Sequence, residues 1–169
     1  ITSLLNMAYN NSDALIIILD NSTTAMTGMQ EHPGTGYTLM GKDAKKINLN
    51  VLVSALGIEN IRVINPNNIK EAQSAIKDEL ASNGPSVIIS QSPCVLFKRA
   101  NMKPVPPMKI DADKCEGCKS CLGLNCPPIA WKEGVTKEGS KRKGIAVIDE
   151  TFCNGCGLCA QVCKFSAIR

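Results

Sequence analysis

A chain of 169 residues with 44% apolar side chains has the means to bury a core, and its formal charge of +4 is mild. One Trp, two Tyr and three Phe supply no aromatic stacking platform, which argues against nucleic acid as a partner. The longest apolar run, Ala14 to Leu19, is far too short to cross a bilayer, so no membrane segment is expected.

In chain order, Ile1 to Tyr9 carries Leu4, Leu5 and Ala8 at helical spacing and reads as the tail of a helix. With no basic region before an apolar stretch, no secretory signal is expected, and the absent start methionine suggests a fragment or processed product. Ala14 to Leu19, framed by Asn10-Asn11-Ser12-Asp13 and Asp20-Asn21-Ser22, predicts a strand buried on both faces. From Asp43, the recurrence of Ile47, Val51, Ala55 and Leu56 predicts a helix of about three turns that stops at Gly57. Ile61 to Ile64 is a short strand. Asn68-Ile69-Lys70-Glu71 fits a capping box opening a helix with Ile69, Ala72, Ile76 and Leu80 on one face, ended by Asn83-Gly84. Ser86 to Ser90 is another buried strand. The order α-β-α-β-α-β predicts an α/β fold with a parallel sheet.

Lys103-Pro-Val-Pro-Pro107 fixes φ at three positions and predicts a stiff linker, placing an α/β domain at 1–102 and a smaller α+β domain at 108–169. Eight of the nine cysteines fall in the second part, as Cys115-x2-Cys118-x2-Cys121-x4-Cys126-Pro127 and Cys153-x2-Cys156-x2-Cys159-x3-Cys163. Three cysteines at two-residue gaps wrap three corners of an iron-sulfur cubane, and the fourth corner comes from elsewhere. In the two-cluster arrangement the last cysteine of each run crosses over. Cys115, Cys118, Cys121 and Cys163 then hold one [4Fe-4S] cluster, and Cys153, Cys156, Cys159 and Cys126 the other. A zinc site has no use for the third cysteine of each run, and a disulfide framework needs an oxidising compartment. Cys94 reads as a small buried hydrophobe at a strand end. Between the runs, Lys132 to Lys143 holds five basic and two acidic residues, a solvated hairpin loop or a docking patch for an acidic electron carrier.

The run Leu19-Asp20-Asn21-Ser22-Thr23-Thr24-Ala25-Met26-Thr27-Gly28 leaves the C-terminal end of a strand, where open parallel sheets bind ligands. Its oxygens suit a hard cation such as magnesium, although these residue types also favour plain turns.

Residues 108 to 169 resemble the bacterial two-cluster ferredoxins, down to the Cys163-Lys164-Phe165-Ser166-Ala167-Ile168 tail. They depart from that pattern in the four-residue gap before Cys126 and in Lys164, where proline is usual. The first part resembles the tail of the thiamine-diphosphate-binding domain of the 2-oxoacid:ferredoxin oxidoreductases. Within these, Thr23-Thr24-Ala25-Met26-Thr27-Gly28-Met29-Gln30-Glu31-His32-Pro33-Gly34 is most similar to the alpha subunits of the indolepyruvate-specific group.

The resemblance implies that Asn21 ligates Mg2+ through its side chain and Thr23 through its carbonyl, with Thr27 and Gly28 in the following turn and an Asp ligand upstream of Ile1. It implies oxidative decarboxylation of an aryl 2-oxoacid on thiamine diphosphate, with acyl transfer to coenzyme A. Electrons would reach ferredoxin through the clusters, in company with a beta subunit, in an anaerobe's cytoplasm. His32 receives no role. Two alternatives stay open: pyruvate or another 2-oxoacid as substrate, and a non-catalytic electron carrier whose α/β half only docks it.

Overall fold

The computed structural model describes residues 1–97, 105–138 and 141–169. The chain forms two compact units, Ile1–Met102 and Lys103–Arg169. Of the expected linker, Lys103 and Pro104 lie outside the described residues, and Val105 to Pro107 have no regular structure.

The first unit runs α1 (Thr2–Tyr9), β1 (Leu15–Asp20), α2 (Leu49–Ala55), β2 (Asn60–Ile64), α3 (Ile69–Ala81) and β3 (Ser86–Gln91), with a 3₁₀ turn at Ala25–Thr27. The three strands form a parallel sheet in the order β1-β3-β2, as the alternation of helix and strand predicts. Last in sequence and central in space, β3 is covered on both faces. Val87 and Ile89 pack with Met7, Val53 and Ile58 beneath α1 and α2, whereas Ile88 packs with Ile64 and Ala75 beneath α3. Its unbroken apolar run therefore follows from its place in the sheet.

Three local expectations need correction. The strand β1 is not buried on both faces, since Ile17 is 44% and Leu19 79% exposed. The core beneath α3 reaches only Leu15 of this strand, so the rest of that face lacks a helix over it. The helix expected from Asp43 begins six residues later. Asn48 caps it, its side chain accepting from Asn50 N at 3.0 Å and Val51 N at 3.2 Å. Before that cap the backbone is held by loop pairs, Ala44 N–H to Gly36 O and Ile47 N–H to Pro33 O. In α3 the Asn68 cap is present, accepting from Glu71 N at 3.3 Å. The inward face, however, is Ala72, Ala75, Ile76 and Glu79, and Leu80 is 69% exposed. The buried Glu79 carboxylate meets Arg62 Nε on β2 at 2.6 Å, and this ion pair takes the place expected for leucine.

The second unit holds a two-stranded antiparallel hairpin, β4 (Ile129–Glu133) and β5 (Gly144–Ile148), a 3₁₀ turn at Leu122–Leu124 and a short α4 (Leu158–Val162). Its two ends are joined: Ile110 bridges Ile168 antiparallel, and Lys109 and Arg169 exchange backbone hydrogen bonds at 2.7 and 3.0 Å. Cys121, Ala146, Cys159 and Ile168 form the core, against which Met108, Ile110, Ile129 and Ile148 pack.

Among the described residues no helix is long and apolar enough to cross a membrane.

Because Ile88 is fully enclosed while Leu19 stands in solvent, Ile88→Ala should lower the unfolding free energy by about 2–5 kcal/mol. Leu19→Ala should change it by less than about 0.5 kcal/mol. Urea denaturation of both variants followed by circular dichroism checks the contrast; equal losses would contradict the packing.

Candidate iron-sulfur and cofactor sites

Register explains how distant cysteines meet. Cys115 follows Ile110 by five residues and Cys163 precedes its bridge partner Ile168 by five, so the antiparallel bridge carries Cys163 back beside the first run. The hairpin does the same for the other pair. Ile129 is opposite Ile148, which turns Cys126, just before β4, toward Cys153, just after β5. Cys115, Cys118, Cys121 and Cys163 accordingly line one narrow cleft of about 20 Å³. Cys126, Cys153, Cys156 and Cys159 line another of about 520 Å³.

All eight are free thiols, with Cys118 and Cys156 exposed and Cys121 and Cys159 buried. Burial pushes the Cys121 thiol pKa up, and the charges of Cys115, Cys118 and Cys163 add to that. Burial likewise raises Cys126 and Cys159, each with Cys156 and Cys153 as the charged neighbours. Cys118 moves the other way. The Ser120 hydroxyl, 3.3 Å from its Sγ, is the leading cause, with the Ser120 amide and Lys164 assisting.

Each loop is shaped by a left-handed glycine. At Gly117 (φ +69°) a Cβ would stand 2.8 Å from Gly144 O, and at Gly155 (φ +71°) 2.6 Å from Pro106 O, so neither position admits a side chain. The longer gap before Cys126 is taken up by the 3₁₀ turn and by Asn125, left-handed at φ +50°. Among the described residues no three His, Cys, Asp or Glu converge on a single ion. Cubane ligands have no need to, because each thiolate binds a different iron corner. Four soft thiolates in each set suit iron-sulfur chemistry.

The basic stretch between β4 and β5 is less solvated than expected, its residues Gly139 and Ser140 lying outside the described residues. Arg142 is 9% exposed and donates to the carbonyls of Ala112 at 2.6 Å and of Cys115. Lys137 reaches Asp113 O at 2.8 Å and Glu116 at 2.6 Å. These two cations close the first cysteine loop. Lys141 and Lys143 stay exposed along a groove shared with Lys119, whose ammonium lies 4.4 Å from the Trp131 ring centroid. Sequence reasoning missed Ser120, Lys137 and Arg142 as supports of the cysteine loop, since only the folded hairpin brings the last two there.

In the first unit, the loop after β1 is a tight turn. Asp20 Oδ1 accepts from Ser22 N at 2.9 Å and Asn21 Oδ1 from Thr23 N at 3.2 Å. Asn21 is exposed and Thr23 is 3% exposed, its Oγ1 buried without a hydrogen-bond partner. Thr27 pairs with Gln30 through hydroxyl and carbonyl, and Gly28 turns the chain at φ +107°. Beside this loop, at the C-terminal edge of the sheet, a cleft of about 650 Å³ is lined by Asp20, His32, Lys46, Asn48 and Gln91 among others. His32 Nδ1 accepts the Gly34 N–H at 3.0 Å. Asp20 belongs to the run read from sequence as leaving the strand end, whereas Lys46 and Gln91 were not singled out. For Gln91 the available signal was its place at a strand end, and its Nε2 donates to Asp20 Oδ2 at 2.9 Å. Cys94 is half-buried rather than buried, and its N–H holds Asn21 O at 2.9 Å.

Residues 1–90 match the family described as thiamine pyrophosphate enzyme, C-terminal TPP binding domain, and residues 146–169 match the 4Fe-4S binding domain. The indolepyruvate oxidoreductase subunit IorA of Thermococcus kodakarensis is 40% identical over 99% of this chain and 25% of its own length. That of Pyrococcus horikoshii is 39% identical over the same shares. The pyruvate synthase subunit PorD of Methanothermobacter marburgensis is 39% identical over 36% of this chain and 59% of its own. The chain thus spans about a quarter of the length of the IorA relatives it matches. With its parallel sheet under the first match and its cysteine-lined clefts in the second unit, the chain belongs to the thiamine pyrophosphate enzymes and matches the IorA-type 2-oxoacid:ferredoxin oxidoreductases.

Proposed function

We propose that this chain is the part of an indolepyruvate:ferredoxin oxidoreductase that carries electrons out of the thiamine site, through two [4Fe-4S] clusters, to ferredoxin. The domain bounds are 1–102 for the thiamine-binding part and 108–169 for the cluster-binding part. The observation that carries the reading is the sorting of eight cysteines into two sets of four, each made of three neighbours and one cysteine from the other run. Cubane clusters supply single-electron transfer. The chain's own residues do the rest. Cys115, Cys118, Cys121 and Cys163 hold one cluster and Cys126, Cys153, Cys156 and Cys159 the other. Gly117 and Gly155 leave room for the loops to close, and Arg142 fixes the carbonyls of the first loop.

At the sheet edge, Asn21 holds Mg2+ through its side-chain oxygen and Thr23 through its carbonyl, with Thr27 and Gly28 shaping the turn behind them. The donor set fits a hard, oxygen-seeking cation, to which the further Asp ligand that the resemblance implies, diphosphate oxygens and water would be added. Thiamine diphosphate supplies the carbanion chemistry. Lys119, Lys141 and Lys143 form a positive groove suited to an acidic carrier protein, and the beta subunit and coenzyme A complete the reaction elsewhere.

Turnover of the intact complex should be faster on indolepyruvate and phenylpyruvate than on pyruvate in a ferredoxin-reduction assay; equal rates would remove the aryl assignment. Anaerobically purified protein should hold about eight iron atoms per chain. In the Cys163→Ala variant, electron paramagnetic resonance should lose the centre of Cys115, Cys118 and Cys121 and keep the other; the reverse loss refutes the crossing. Asn21→Ala in the intact protein should weaken Mg2+-dependent thiamine diphosphate binding by tenfold or more, about 1.4 kcal/mol, in titration calorimetry.

A further inference from the structure

The two cysteine loops share a backbone and differ in chemistry. Both turn on a left-handed glycine, yet between the second and third cysteine the first has Lys119-Ser120 and the second Gly157-Leu158. Ser120 Oγ lies 3.3 Å from Cys118 Sγ. A thiolate bound to iron has no proton to give, so in the loaded protein the hydroxyl is the donor. Leu158, at the matching position, has none.

Backbone donors do not redress the balance. Cys163 Sγ receives the Ala167 N–H at 3.3 Å and Cys153 Sγ the Met108 N–H at 3.4 Å, and a neighbouring amide serves each set as well, that of Ser120 at Cys118 and that of Ala160 at Cys159. Charge adds to the difference. Lys119 lines the first cleft together with Glu116, whose carboxylate is paired with Lys137 at 2.6 Å. Among the described residues no Asp, Glu, Lys or Arg lines the second cleft.

A cubane that gains one electron becomes one charge more negative, so a hydroxyl donor and a nearby ammonium favour the reduced form, and hydrogen bonds to the sulfurs are among the controls on its potential. We infer that Ser120 is a positioning and tuning residue that makes the centre of Cys115, Cys118, Cys121 and Cys163 the higher-potential one of the pair. The first electron to enter then rests there. This rests on the cluster assignment proposed above.

Anaerobic holoprotein titrated with dithionite, one electron per centre, and followed by electron paramagnetic resonance should show two reduction steps. Ser120→Ala should lower the upper step by up to tenfold in electron partition, about 59 mV for one electron, and leave the lower step in place. Ser120→Thr, which keeps the hydroxyl, should hold the upper step near its original position. The mirror variant Leu158→Ser should raise the lower step. The inference fails if Ser120→Ala moves neither step, moves the lower one, or moves both alike while both centres are present. If Ser120→Ala does not assemble its centre, Leu158→Ser decides, an unmoved lower step overturning the inference. Wild-type protein without two cubane signals overturns the cluster assignment itself, and this inference with it.

Discussion

The second unit depends on one constraint: its two ends are neighbours. The bridge between Ile110 and Ile168, reinforced by the reciprocal hydrogen bonds of Lys109 and Arg169 and by Asp111 N–H to Ala167 O at 2.8 Å, closes the unit on itself. Without that closure Cys163 has no route to the first cysteine run, and without the β4–β5 hairpin Cys126 has none to the second. Antiparallel pairing thus brings each run's last cysteine beside the other run. Cys121 and Cys159 are themselves part of the apolar core with Ile168 and Ala146, so packing and ligand placement are one construction. A unit of this size has little apolar surface to bury, and anything bound by all four thiolates of a set would stabilise it by favouring the folded over the open chain.

In the first unit the equivalent constraint is the central position of β3. With both faces covered, it fixes the register of β1 and β2 on either side, and the three strands end their parallel course at the same edge. That edge gathers Asp20 and Gln91 from adjacent strands, joined through Gln91 Nε2 to Asp20 Oδ2, and the loop after β1 is tied back by Ser92 N–H to Asp20 O and Cys94 N–H to Asn21 O. The buried, unpartnered Thr23 hydroxyl is the cost of that tight turn, of the kind that persists where surrounding structure over-determines it.

Much of this was legible in the residues. Cysteine spacing is set by the geometry of what it binds, so it survives as a readable pattern, and the apolar run of β3 and the Asn68 cap are local signals with local causes. What the sequence obscured was decided at a distance. The periodicity of Ile47, Val51, Ala55 and Leu56 says nothing of the loop pairs that occupy the backbone up to Asn48. The run in β1 resembles that in β3, but one strand lies at an edge and the other in the centre. Glu79 displaces Leu80 from the inward face only because Arg62 stands across from it on β2. The basic stretch between the hairpin strands reads as a solvated loop or a docking patch, because charge counts do not show which carbonyls a folded loop leaves in need of donors.

Sequence repetition and chemical equivalence part company in the two cysteine runs. Their spacing nearly repeats, and a reading by spacing treats them as interchangeable. The folded loops are not. One run reaches its last cysteine through a 3₁₀ turn and a left-handed Asn125, the other through α4. One loop is buttressed by Arg142 and Lys137 from the hairpin, whereas the other accepts its Cys156 N–H on Asn154 at 3.2 Å. Duplicated ligand geometry can therefore be kept while the residues between the ligands diverge, because the cysteines answer to the group they bind and their neighbours to the charge and donors around it. Any difference in behaviour between the two sites must be sought in the residues around the ligands, between them and packed against them, since all eight ligands are thiolates.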